Sequence, residues 1–99
     1  MTAIKKYVDQ ITDELEDAKE YAEEYLMCKA KGNSIKASKY REMSEDELKH
    51  ADYIHAIAVD AITELKNVYV PTQKMQDMWD MSHREYVERA AWIKTMLQM

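Results

Sequence analysis

The sequence predicts a small all-α protein whose three helices run up, down and up. The 99 residues include one Gly and one Pro, which cannot supply the turns that a β-sandwich or β-barrel requires. Apolar residues recur every three or four positions, which is the period of an α-helix. With 46% hydrophobic residues the chain can form a core, and its length is that of a single domain over residues 1–99.

The first predicted helix spans Thr2 to Ala30. Its apolar stripe steps by three and four residues, as in a heptad repeat, and consists of Ile4, Val8, Ile11, Leu15, Ala18, Ala22 and Tyr25. Gly32 and Asn33 are residue types that accept the left-handed backbone at a helix end. They predict the end of this helix, and Ser34 is then the predicted N-cap of the next one.

The second helix is predicted to run from Ser34 to about Asn67, and the third from Pro71 to about Leu97. Val70 precedes a proline and is biased away from helix, which marks the connection between them. The predicted inner stripe of the second helix holds Tyr40, Met43, Glu47, His50, Ile54, Ile57, Ala61 and Leu65. That of the third holds Met75, Met78, Trp79, Ser82, Tyr86, Ile93 and Leu97.

The net charge and the cysteine content limit the classes of protein to which this chain can belong. The formal net charge is −5, from 19 acidic residues against 14 Lys and Arg, the opposite of the balance usual in nucleic-acid-binding proteins. No segment is apolar and long enough to cross a membrane. The N-terminus lacks the apolar core of a signal peptide, and Cys28 stands alone. We therefore expect a cytoplasmic protein that binds neither nucleic acid nor membrane.

Two polar residues interrupt the predicted inner stripe of the second helix. Glu47 and His50 stand in line with apolar residues before and after them. Burial of a carboxylate without a partner is unfavourable by several kcal/mol or more. A spacing of three places both side chains on one helix face, and carboxylate with imidazole suits divalent iron, manganese or zinc. A buried hydrogen-bonded pair without a metal, or an exposed flank of the helix, is the alternative.

An acid in the first helix is predicted to lie level with this pair. Reflection of residues 47–50 through the loop at Lys31-Gly32-Asn33 reaches about residues 14–17, which include Glu14, Glu16 and Asp17. Glu14 borders the apolar stripe and shares an otherwise uncharged column with Tyr7, Tyr21 and Cys28, so it is the preferred candidate.

Other acids and motifs have simpler interpretations. Reflection through the second connection places Glu85 and Glu88 close to the level of His50. We interpret both as surface acids that pair with Arg84, Arg89 or Lys94. The alternative is that they belong to the site. Asp52-x-x-His55 and Asp80-x-x-His83 fall away from the apolar stripes. The helical spacing of Met75, Met78 and Met81 with Trp79 predicts packing rather than a soft-metal site.

These residues resemble the first helical hairpin of the ferritin-like superfamily, in particular rubrerythrins and encapsulated ferritins. The similarity covers about residues 8–58 and is carried by Glu14, Tyr21, Gly32 in the turn, and Glu47-Leu48-Lys49-His50-Ala51. It implies that Glu14 and Glu47 are iron-binding carboxylates and that His50 is an iron ligand. By the same resemblance, Tyr21 forms a hydrogen bond behind the ligands.

The resemblance also implies a function shared between two chains. A di-iron carboxylate site draws four carboxylates and two imidazoles from four helices, and this chain has a single Glu-x-x-His. Two copies complete the set as a ferritin-like four-helix bundle in a homodimer with two iron ions. The implied activity is ferroxidase-type oxidation of Fe(II) by O₂ or H₂O₂. A peroxide-scavenging di-iron protein and a metal-free helical adaptor or assembly subunit remain alternatives.

Overall fold

The computed structural model describes residues 2–68 and 70–99, with side chains from residue 4 onward. It contains three α-helices, α1 (Thr2–Ala30), α2 (Ser34–Lys66) and α3 (Gln73–Gln98), and no strand occurs in the described ranges. The all-α class and the number of helices are therefore confirmed. None of the described helices has a stretch apolar and long enough to cross a membrane.

The turn between α1 and α2 is built on Gly32 and Asn33, as predicted. Gly32 has φ = +77°, the left-handed region that residues with a Cβ rarely adopt. The backbone N–H of Asn33 donates to the carbonyl of Cys28 at 2.9 Å, which satisfies one free carbonyl at the end of α1. The Asn33 side chain then accepts from the N–H of Lys36. The N-cap is thus Asn33, and the assignment of Ser34 was wrong by one residue.

The connection between α2 and α3 also differs from the prediction in detail. Asn67 is the C-cap of α2, and α3 begins at Gln73 instead of Pro71. Thr72 is its N-cap, with the side-chain hydroxyl accepting from the N–H of Met75 at 3.2 Å. A threonine oxygen satisfies a free N–H of the first turn, which proline cannot do, so the helix begins after the threonine.

Small side chains lie where α1 and α2 meet. Ala18, Ala22, Ser44, Ala51 and Ala58 are fully buried, each with an exposed fraction of 0%. Short side chains allow two helices to approach closely, so that the interface packs at the density of a protein interior. The hydroxyl of Ser44 donates to the carbonyl of Ala18 at 2.7 Å, so this buried polar group is satisfied.

The inner face of α2 is rotated from the predicted stripe. Its buried residues are Ala37, Ser44, Leu48, Ala51, Ala58 and Ile62. Met43 and Ile57, which the stripe places in the core, are 40% and 52% exposed, and His50 is exposed. Packing against α1 uses the adjacent column of α2, so the predicted inner position of these three residues was wrong within a single chain.

Helix α3 packs against one side of the α1–α2 hairpin. Its buried residues are Ala90, Ile93, Met96 and Leu97, and they join a core that includes Leu15 and Leu48. Near the other end, Trp79 and Met75 line a small apolar cavity with Ile4 and Ile62. The prediction that the methionines of α3 serve packing agrees with this arrangement for Met75.

Candidate metal site

Glu14, Glu47 and His50 converge in the structure. Each contributes one ligand atom, and the three atoms lie within 4.8 Å of one another. His50 Nδ1 lies 3.6 Å from Glu14 Oε2 and 3.7 Å from Glu47 Oε1. The described part of the chain contains no other group of three or more His, Cys, Asp or Glu side chains so arranged.

The packing of α1 on α2 sets the level and direction of these side chains. Glu14 precedes Leu15, which is 1% exposed, and Glu47 precedes Leu48, which is 6% exposed. Burial of the two leucines in the shared core fixes the helix rotation that brings the neighbouring glutamates to the edge of the interface. His50 follows Glu47 by three residues and therefore lies on the same face.

Glu14 and Glu47 interact as a pair of carboxyl groups. A hydrogen bond from the protonated Glu47 carboxyl to Glu14, partial burial and the negative charge of Glu14 raise the pKa of Glu47 from the ordinary value of 4.5 to about 7, although the nearby His50 acts in the opposite direction. Two carboxylates that face each other resist simultaneous ionisation. The site therefore carries an excess of negative potential that a proton or a cation relieves.

Replacement of Glu47 by Gln is expected to stabilise the metal-free protein at pH 8 and to have little effect at pH 4. The pKa of Glu47 is raised on folding to about 7, so the wild-type protein loses stability as pH rises from about 4.5 to 7. After allowance for solvent screening, the gain at pH 8 is about 1 kcal/mol. Free energies of unfolding from urea titrations at both pH values check this.

The exposed Glu42 of the same helix offers a matched control for that variant. The Glu42→Gln substitution should leave the pH dependence of unfolding unchanged. An equal gain from Glu47→Gln at both pH values would show that no carboxyl repulsion exists at the site.

The side of the hairpin that carries the three candidate ligands is turned away from α3. Residues of α3 line surface pockets together with Thr12, Leu15 and Lys19 of α1 and with Leu48 and Asp52 of α2, and the Tyr86 hydroxyl donates to Asp52. The helical period of 3.6 residues places the ligands on another side, together with Tyr7, Tyr21, Met43, Ile54 and Ile57. We call these residues and the three ligands the open face.

Helix α3 does not complete the site within one chain. Glu85 and Glu88 are exposed. Glu85 lines a surface pocket with Thr12 and Arg89, and Glu88 lines another with Lys19 and Arg89. Neither belongs to the ligand group. Within the described residues they also form no ion pair within 4.0 Å, so the expected pairing with Arg84, Arg89 or Lys94 is absent.

Tyr21 and Cys28 occupy the same column of α1 as Glu14. Tyr21 is half-buried and stacks on Tyr40 with ring centroids 6.3 Å apart. Among the described side chains it makes no hydrogen bond to a ligand, so the role that the resemblance implies for it stays a prediction. Cys28 is buried and unpaired with another cysteine, which agrees with its interpretation as a small residue at the flank of the bundle.

Sequence reasoning missed a second cluster, between α2 and α3. Nε2 of His55 lies 2.9 Å from Nδ1 of His83, and the His55 ring stacks on Tyr86 and Trp79. Burial and the neighbouring His83 lower the pKa of His55, against the effect of Asp52. The signal was present in the sequence, since residues 55 and 83 each lie 14 positions from residue 69, the centre of the second connection.

Comparison of the chain with protein-family models, curated protein sequences and solved structures finds no match.

Proposed function

We propose that the protein binds iron through Glu14, Glu47 and His50 and oxidises Fe(II) with O₂ or peroxide as a homodimer. The observation that carries this proposal is the convergence of the three ligand atoms on the open face. Resemblance of the same residues to the first hairpin of rubrerythrins and encapsulated ferritins supports it. The ferroxidase-type class is therefore an inference from ligand geometry together with a sequence pattern.

The donor set fits iron. Carboxylate oxygen and imidazole nitrogen suit iron, and they would also hold manganese or zinc. Around an ion with ligands at about 2.1 Å, neighbouring ligand atoms lie about 3.0–3.4 Å apart, and the separations from His50 to the two glutamates are 3.6 and 3.7 Å. Small side-chain rotations close that difference. The raised pKa of Glu47 supports the fit, since a divalent cation can replace the shared proton.

A second copy of the chain would complete the ligand set. One chain supplies two carboxylates and one imidazole, and a di-iron carboxylate site uses four and two. A two-fold axis through the open face places an identical set opposite the first. The same axis joins two hairpins into a four-helix bundle. Half-exposed Met43 and Ile57 on this face are apolar surface that such pairing would cover.

The up-down-up path of the helices belongs to the same proposal, because the four-helix bundle needs an antiparallel hairpin from each copy. The Nζ of Lys29 donates to the carbonyl oxygen of Met99 at 2.8 Å, so the C-terminal ends of α1 and α3 adjoin. Ile4 and Pro71 line one cavity at the opposite end. Both contacts support this path.

The chain's own groups have defined tasks in this reaction. Fe(II) is the substrate, and two ions would together supply two electrons, which with two protons reduce O₂ to H₂O₂ or H₂O₂ to water. Glu14 and Glu47 would hold the cation and offset the positive charge that increases on oxidation, and a proton bound between the two carboxyl groups would leave to solvent when the cation binds. His50 would supply an imidazole nitrogen at the exposed edge, where iron and a small oxidant can approach from solution.

Oxidation of Fe(II) by the purified, metal-stripped protein tests the proposal. Two equivalents of Fe(II) per dimer are added without oxygen, air is admitted, and Fe(III) absorbance and O₂ uptake are followed. The wild type should oxidise Fe(II) faster than protein-free buffer, and Glu47→Ala should fall to the buffer rate because half of its carboxylates are lost.

Glu45→Ala is the matched control, since Glu45 lies on the same helix but pairs with Arg41 at 3.0 Å. It should retain the wild-type rate. Equal rates for wild type, Glu47→Ala and buffer would contradict the proposal and favour the metal-free adaptor. A reaction much faster with H₂O₂ than with O₂ would assign the site to peroxide removal.

A further inference from the structure

We propose that His55 of α2 and His83 of α3 form a second metal-binding site, for one divalent ion of the late first transition series such as Cu²⁺ or Ni²⁺. The two nitrogens that face each other, Nε2 of His55 and Nδ1 of His83, are 2.9 Å apart. Neither residue belongs to the ligand group of Glu14, Glu47 and His50. The second site therefore exists independently of the proposed di-iron function.

The nitrogen separation matches two adjacent ligands of one ion. With metal–nitrogen bonds of about 2.0–2.1 Å, a right angle at the metal places the nitrogens about 2.9 Å apart and a tetrahedral angle about 3.3 Å. The observed 2.9 Å is the separation of two hydrogen-bonded rings and is close to both values, so small ring rotations bring both nitrogens to one ion. Among divalent ions of the first transition series, affinity rises through Ni²⁺ to a maximum at Cu²⁺, and imidazole suits both.

Aromatic neighbours hold the two rings in place. Tyr86 stacks on His55 with centroids 4.5 Å apart and an interplanar angle of 11°. Trp79 stacks on the same ring at 5.7 Å and lies 6.3 Å from the ring of His83. A ligand pair oriented in advance by packing loses little side-chain entropy when a metal binds.

Carboxylates near both histidines favour a cation. Asp52 and Asp80 each precede one of the histidines by three residues, on the same helix face. Asp52 accepts a hydrogen bond from the Tyr86 hydroxyl, and Asp80 accepts one from Gln76. Across the described side chains neither forms an ion pair with Lys or Arg, so their charge is available to an ion held by the imidazoles.

The site is accessible to a metal ion from solution. His83 is exposed and His55 is half-buried, so the two rings lie at the protein surface. Water molecules can fill the remaining coordination positions, because the described residues place no third protein ligand within reach of the pair. An ion held there would link α2 to α3.

The chain's histidine content permits a clean test with Cu²⁺ as the probe. It contains three His, so in a His50→Ala background imidazole ligands can come from His55 and His83 alone. Electron paramagnetic resonance of the 1:1 Cu²⁺ complex should show two imidazole nitrogen ligands. His83→Gln in the same background should lose one of them and weaken Cu²⁺ binding by about 100-fold, since the chelate is lost.

Glutamine at position 83 keeps a hydrogen-bonding side chain at an exposed position, and circular dichroism checks that the variant retains its helices. Cu²⁺ should also raise the melting temperature of the His50→Ala protein, and it should not do so for the His50→Ala/His83→Gln variant. A spectrum without two nitrogens, or equal affinity in both proteins, would show that the rings are joined only by an N–H···N hydrogen bond and would overturn the proposal. Because His50 is absent throughout, the outcome does not depend on the di-iron site.

Discussion

Replacement of Ile57 by Glu is expected to convert the proposed dimer to a monomer and to abolish the proposed Fe(II) oxidation. Ile57 lies on the open face and is 52% exposed in the single chain, so a second copy would bury it. An uncompensated charge in such an interface is unfavourable by about 3 kcal/mol or more, which raises the dissociation constant at least about 100-fold. Sedimentation and oxidation assays on the same samples measure both effects.

Val87→Glu provides the matched control for this variant. Val87 is 49% exposed on α3, the helix opposite the open face, and gains the same charge. It should leave mass and oxidation unchanged. If Ile57→Glu also leaves the mass unchanged, the open face is not where two copies meet.

Replacement of Leu15 by Ala is expected to cause a large loss of stability. Leu15 is 1% exposed and belongs to the core that α1 shares with α2 and α3. Deletion of a buried leucine side chain lowers the free energy of unfolding by about 2–5 kcal/mol. For a chain of this size, that lowers the melting temperature by about 10 °C or more. Thermal and urea unfolding of the metal-free protein measure it.

Val70→Ala is the control for the core variant, because Val70 is 88% exposed and outside the helices. It should change the unfolding free energy by less than about 0.5 kcal/mol. An equally small effect of Leu15→Ala would mean that Leu15 is not at the centre of the core. The position of Glu14, which depends on the burial of its neighbour, would then be unsupported.

The buried face of a helix could be predicted from the sequence where the helix has a single apolar stripe. In α1, a single apolar stripe faces the rest of the chain, and the predicted positions such as Ile11 and Leu15 are buried. In α2, apolar residues occupy two adjacent columns, of which Leu48 and Ile62 face the core and Met43 and Ile57 do not. Periodicity cannot tell which of two apolar columns packs against the chain itself.

The convergence at the candidate site could be predicted in part. Reflection of residues 47–50 through the short turn at Gly32 left Glu14, Glu16 and Asp17 as candidates, and the uncharged column of α1 selected Glu14. The structure brings Glu14 together with Glu47 and His50, and their role as metal ligands stays a prediction.

The same reflection through the second connection pairs His55 with His83, which are in contact. This pair was assigned no role from the sequence because the two Asp-x-x-His motifs lie away from the apolar stripes. The packing of Trp79 and Tyr86 around the two rings leaves no periodic pattern in the sequence.

The most direct test of the shared site is the number of iron ions bound per particle of known mass. Fe(II) titration without oxygen is combined with the solution mass of the 11.7 kDa chain, for wild type and Glu47→Ala. A site shared between two copies requires an even number of chains per particle, one tightly bound iron per chain in the wild type, and none in Glu47→Ala. Iron bound by a monomer, or equal binding by both proteins, would contradict it.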